Sequence, residues 1–114
     1  MKRLAAAVLL SISLAAGSAS AQVQGYIDGR TYLQRTDADR TVYVMGLYDM
    51  LMEMGPLANE RAAAMVRQAE RCLRGKGSVQ LRDWVDSYVR SKAEYLQYSM
   101  SSNFIAAVMT RCPA

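Results

Sequence analysis

The stretch "TVYVMGLYDMLMEM", residues 41–54, carries four methionines and two tyrosines, and its periodicity decides the fold. On a helix, Tyr43, Leu47, Met50 and Met54 fall on one face, and Val44, Leu47, Tyr48 and Leu51 on the next. Met45, Tyr48 and Met52 add a third apolar face. Only Gly46, Asp49 and Glu53 interrupt this surface, and their spacing confines them to one narrow stripe. A helix apolar on nearly every side is ordinarily a central, buried one, so this stretch is expected to fill the core. In that arrangement Gly46 admits a neighbouring helix and Asp49 takes a polar partner. Two other uses compete. Thioethers suit Cu(I), but Met50, Met52 and Met54 do not share a face, and Met45 with Met52 has no His or Cys companion. A partner-binding groove is the third use, because methionine adapts to many surfaces.

The flanks extend the helical pattern in both directions. Residues 22–33 begin with Gly25 and Gly29 and are expected to form a short or frayed helix. Thr36 is a capping residue followed by Asp37 and Asp39, which oppose the helix dipole in a first turn. The helix they start should stop at the breaker pair Gly55-Pro56. Asn59 can cap the next, in which Ala63, Val66, Ala69 (or Glu70) and Leu73 recur at helical spacing up to the turn at Gly75-Lys76-Gly77. Ser78 is placed to cap a third long helix with the apolar stripe Leu81, Trp84, Val85, Tyr88, Val89. Arg82, Asp83, Asp86, Arg90 and Lys92 occupy its other, solvated faces. A last helix over 94–110 carries Leu96, Met100, Phe104, Ile105, Val108 and Met109, and Pro113 closes the chain. No alternating strand pattern occurs. The expectation is an all-α bundle of four to five helices with one disulfide.

The ends of the chain bear on compartment. Lys2 and Arg3 precede the apolar run 4–14, and Ala19-Ser20-Ala21 supplies small residues ahead of a cleavage point between Ala21 and Gln22. The run is shorter than the roughly 20 residues a spanning helix needs, so residues 1–21 are expected to be a signal peptide rather than a stable membrane anchor. A single helical domain, residues 22–114, would then be exported to the periplasm. Without Lys2 and Arg3, 12 basic residues face 10 acidic ones, and their scatter does not favour nucleic acid. The remaining cysteines, Cys72 and Cys112, are expected to form one disulfide, with free or intermolecular thiols as the alternative.

The inventory of chemical groups is poor in catalysts. There is no histidine, and hence no customary general base. The carboxylate pairs Asp37/Asp39 and Asp83/Asp86 sit where helix starts and solvated faces want them. Phosphate-loop and dinucleotide glycine patterns are absent. A binding role without catalysis, cofactor or metal is expected. Tyr26, Tyr32, Tyr95 and Tyr98 flank the expected core, and tyrosine is favoured at interface hot spots, which makes them candidates for partner binding.

Three motifs carry a resemblance to a known family. They are "YVMGLYD" (43–49), "SVQLRDWVDSYV" (78–89) and "SNFIAAVMTRC" (102–112). Together they resemble the Tai/Rap-type family of small exported immunity proteins, which bind and block peptidoglycan amidases delivered by the type VI secretion system. Members often carry a further cysteine pair in the N-terminal half; here the corresponding place reads Asp39-Arg40-Thr41-Val42. Their His-Pro-Glu-like turn appears only as Lys92-Ala93-Glu94. The resemblance implies a structural role for Tyr43, Gly46 and Asp49. It further implies a protein partner, a cell-wall amidase effector, neutralised by occlusion of its cleft. More distantly, the chain is similar to HdeA-type acid-stress chaperones of the periplasm. An unassigned envelope interaction module, or a homodimer, is the remaining alternative.

Overall fold

Asp28 starts the first described helix, a single turn, by capping it. The computed structural model describes residues 26–113, so the expected signal segment, the Ala21–Gln22 cleavage point and the start of the first expected helix lie outside that range. Helix α1 spans Gly29–Leu33, and Asp28 accepts a hydrogen bond from the Thr31 amide at 2.8 Å. Thr36 caps α2, Asp37–Ala58, by accepting from the Asp39 amide, as the sequence predicts. Asn59 caps α3, Glu60–Leu73, accepting from Ala62 N at 2.8 Å. Helices α4, Ser78–Arg90, and α5, Met100–Arg111, complete the bundle, with a 3₁₀ turn over Ala93–Gln97 between them.

Helix α2 packs along α3 and crosses α4, α4 pairs with α5, and α1 leans on the 3₁₀ turn. A short bridge between Asp28 and Ser99 joins the two ends of this layout, through Gly29 N to Tyr98 O and Met100 N to Ile27 O. The core collects Val44 from α2, Ala69 and Leu73 from α3, Leu81, Val85 and Val89 from α4, and Met100, Phe104 and Val108 from α5. The Cys72–Cys112 disulfide fastens the end of α3 to the end of α5, with Cα atoms 5.7 Å apart. The expected all-α, single-disulfide fold is therefore the one observed.

Element boundaries depart from expectation in three places. The Gly55-Pro56 pair does not stop α2; Pro56 lies inside it, and the break comes at the extended Asn59. The last turn survives its lost amide because Gly55 lies directly against Val66 of α3, so packing outweighs the local penalty. Ser78 does not cap α4. It is the first helical residue, and the cap position falls to Gly77, with no side-chain bond. The expected helix over 94–110 is two elements, because Ser99 accepts from the Ser102 amide and starts α5 afresh. Buried Asn103 then donates to the carbonyls of Tyr95 and Tyr98, fastening the 3₁₀ turn to the new helix. The turn after α3 is as foreseen: Gly75 adopts φ +79°, a conformation that glycine reaches without strain.

Candidate functional site

Helix α2 spends only half of its methionines on the core: Met45 and Met52 pack against it partly covered, while Met50 and Met54 face solvent. Of its 22 residues only Arg40 and Val44 are buried, whereas Val42, Met50, Met54 and Leu57 are exposed. The reason is geometric. α3, α4 and α5 cover α2 from one side, which leaves the remaining apolar faces of residues 41–54 partly or wholly in solvent. Gly46 faces open space rather than a neighbouring helix, and the close approach is made by Gly55 instead. Asp49 is exposed.

Between the second half of α2 and the first half of α5, these side chains border a groove of about 320 Å³. Leu47, Met50, Leu51 and Met54 form its α2 wall, and Phe104 and Ile105 the wall from α5; no charged side chain lines it. Met50 is 60% exposed, Met54 54% and Leu57, one turn further along, 76%. Glu53 stands three residues from Met50 and four from Leu57, which sets one carboxylate at the border of the patch. A second groove, of about 330 Å³, lies at Ala64, Met65 and Met109, flanked by Arg61 and Gln68.

At the N-terminal end of α2, against α1 and α4, lies a buried ion cluster that sequence reasoning missed. Asp86, expected on a solvated face, is 4% exposed. Its Oδ1 accepts from the Tyr32 hydroxyl at 2.6 Å, and its Oδ2 accepts from Arg40 Nε and Nη2 at 3.2 and 3.1 Å. Arg40 also donates to Asp37 and to the Arg35 carbonyl. Arg82 reaches Thr41 and Asp83, while its buried Nε, 3.9 Å from Asp86, has no hydrogen-bond partner among the described residues. Burial, then the bond to Asp86, raise the Tyr32 phenol well above its ordinary 10.0. Burial works against the Arg40 charge, but Asp86 and Asp37 more than offset it and raise its pKa. The acceptors of Asp86 are already engaged by α1 and α2, so the cluster ties elements together.

The tyrosines divide accordingly. Tyr32 is fully buried, a core residue and hydrogen-bond donor, and is withdrawn as an interface candidate. Tyr95 stacks on Tyr88 at 4.6 Å, with Tyr98 at 5.9 Å and Lys92 at 5.7 Å from the Tyr95 ring. Tyr26 and Tyr98 are exposed, and Tyr43 is half-buried, 6.0 Å from Tyr32. Among the described residues, no group of three or more His, Cys, Asp or Glu side chains is placed to hold a metal ion. No helix there is long and apolar enough to cross a membrane.

Comparison with protein-family models, curated proteins and solved structures finds no match for this chain. The Tai/Rap-type resemblance therefore rests on its three motifs alone. Of the residues it made structural, Gly46 and Asp49 lie on the surface.

Proposed function

We propose that the protein is an exported binding protein, without catalysis of its own, that docks an apolar helix of a partner protein in the α2–α5 groove. The observation that carries this is the exposure of Met50, Met54 and Leu57 around a groove with no charged side chain in its lining. Residues 47–58 of α2 extend about 17 Å at 1.5 Å per residue, the length of roughly three turns of a docked helix. Glu53 at the border suits a partner with Lys or Arg beside its apolar face. The flexible thioethers let the groove fit side chains of differing shape. The Cys72–Cys112 bond supports an oxidising compartment. The motif resemblance supports a peptidoglycan amidase as the partner, inhibited by occlusion.

The test has two parts. A synthetic helical peptide with leucines at three- and four-residue spacing, flanked by lysines, is titrated against the purified protein and against Met54→Glu. Saturable one-to-one binding lost in the variant supports the groove; equal binding by both sinks it. Capture from envelope and secreted extracts, with the same pair of proteins, then identifies the partner. One stoichiometric cell-wall hydrolase retained at neutral pH and lost with Met54→Glu supports the amidase reading. Many proteins held only below the carboxylate pKa range favour an acid chaperone instead. Self-association in sedimentation would assign the groove to a second copy.

A further inference from the structure

Among the described residues, the two most exposed methionines both line the groove. The sequence has two cysteines, and both are in the disulfide, so no thiol competes for an oxidant. The softest remaining nucleophiles are the thioethers, and the fold sorts them sharply. Met100 is fully buried in the core, and Met45, Met52 and Met109 are partly covered. Met50 and Met54, one turn apart, are 60% and 54% exposed and both line the same groove. Met65, at 38%, is exposed outside it.

We propose that Met50 and Met54 are a site of reversible oxidative modification, and that their sulfoxides close the groove to apolar partners without disturbing the fold. The functional half of this proposal rests on the docking reading above. The reactant is a hydroperoxide, with hydrogen peroxide the simplest. A sulfur lone pair attacks one peroxide oxygen, the S–O bond forms as the O–O bond breaks, and the departing oxygen leaves as water after proton transfer. Sulfur is oxidised by two electrons and the peroxide is reduced. The product replaces an apolar, flexible side chain with a polar, chiral one. Docking an apolar helix over the two sulfoxides would bury two S=O groups with a single lining hydroxyl, Ser101, to meet them, so at least one is left without a side-chain donor from the groove. In solvent the same oxygen is hydrated, so the free protein loses nothing. Sulfoxide reductases act on both epimers between them, which makes the change reversible.

The experiment is dilute hydrogen peroxide treatment of the disulfide-intact protein, followed over time by peptide mass mapping, thermal melting and titration with the lysine-flanked leucine peptide. Met50 and Met54 are expected to convert at least about fivefold faster than Met100, in line with their exposure. The melting midpoint should hold while peptide affinity falls about tenfold or more, and methionine sulfoxide reductases should restore it. Met50→Leu/Met54→Leu should keep its affinity through the same treatment, whereas Met65→Leu should lose it as the parent does. Uniform oxidation of all methionines overturns the site. Unchanged affinity after complete conversion at both positions, or equal loss in the double leucine variant, overturns the switch. If the untreated protein fails to bind the peptide, the docking reading and the switch fall together, and the mass map alone still decides whether the site exists.

Discussion

At the scale of single residues, Asp86 decides more than any exposed group. A carboxylate 4% exposed is tolerable only because a guanidinium and a phenol reach it from 46 and 54 residues away in sequence. Asp86→Ala leaves Arg40 buried without its main counter-charge and should cost about 3–5 kcal/mol in urea unfolding. Tyr32→Phe removes one donor to a charged acceptor and should cost about 1.5–3 kcal/mol. The two losses should be less than additive, since they share one carboxylate. The same pair gives an alkaline signature. The fold raises the Tyr32 pKa, so the neutral phenol is the form it favours. That contribution is complete below the ordinary 10.0 and is lost as pH climbs above it toward the folded value. Stability of the parent should therefore fall from pH 10 upward, and Tyr32→Phe should flatten part of that slope. The share left is due to Tyr88, which its hydrogen bond with Tyr95 and then burial push up to about 12, and to Tyr43, whose pKa burial also raises. None of this cluster was legible in the sequence. Local spacing places Asp86 beside Asp83 and Arg82 as if on a solvated face, and nothing local encodes a partner from α1 or α2.

At the scale of elements, the two glycines of α2 separate what propensity says from what packing says. Gly46 has nothing within 4 Å of the place a Cβ would take, so Gly46→Ala should stabilise by up to about 1 kcal/mol through helix propensity. Gly55→Ala would drive its methyl into the Val66 side chain and should destabilise by about 1–3 kcal/mol despite the same gain in propensity. Opposite shifts of the denaturant midpoint test the pair; equal shifts would mean that α2 and α3 do not meet at Gly55. The α1 cap offers a pH test of its own. The Thr31 amide holds the Asp28 carboxyl below its ordinary 3.8, so the cap contributes above that value and is lost as pH falls through the folded pKa. Asp28→Ala should therefore be less stable than the parent at neutral pH and converge with it in strong acid. Helix starts at Thr36 and Asn59 were legible because each side chain accepts from the amide three residues further on, a partner that the local sequence supplies. The restart at Ser99 was not, since the apolar spacing of Leu96, Met100 and Phe104 runs across the break as if one helix continued.

At the scale of the whole molecule, helical periodicity and two cysteines sufficed to read an all-α bundle with one disulfide. They could not say which face of the methionine-rich helix would be left uncovered, because that depends on how many neighbours α2 receives and from which side. The disulfide links this question to stability. It joins residues 40 apart in sequence, and its loss should cost about 4 kcal/mol on the chain-entropy estimate. For a domain of this size that corresponds to a melting midpoint lower by on the order of 20 °C. The bond does more than shorten the unfolded chain. It holds the end of α5 against α3, α3 lies along α2, and the groove is the space between α2 and α5. Reduction should therefore let α5 shift before the bundle unfolds. Peptide affinity should drop at temperatures where the far-ultraviolet circular dichroism still reports full helix content. Affinity that survives until the helices melt would mean that the groove walls are set by the core residues Phe104 and Val108 alone, with the disulfide acting only on the unfolded state.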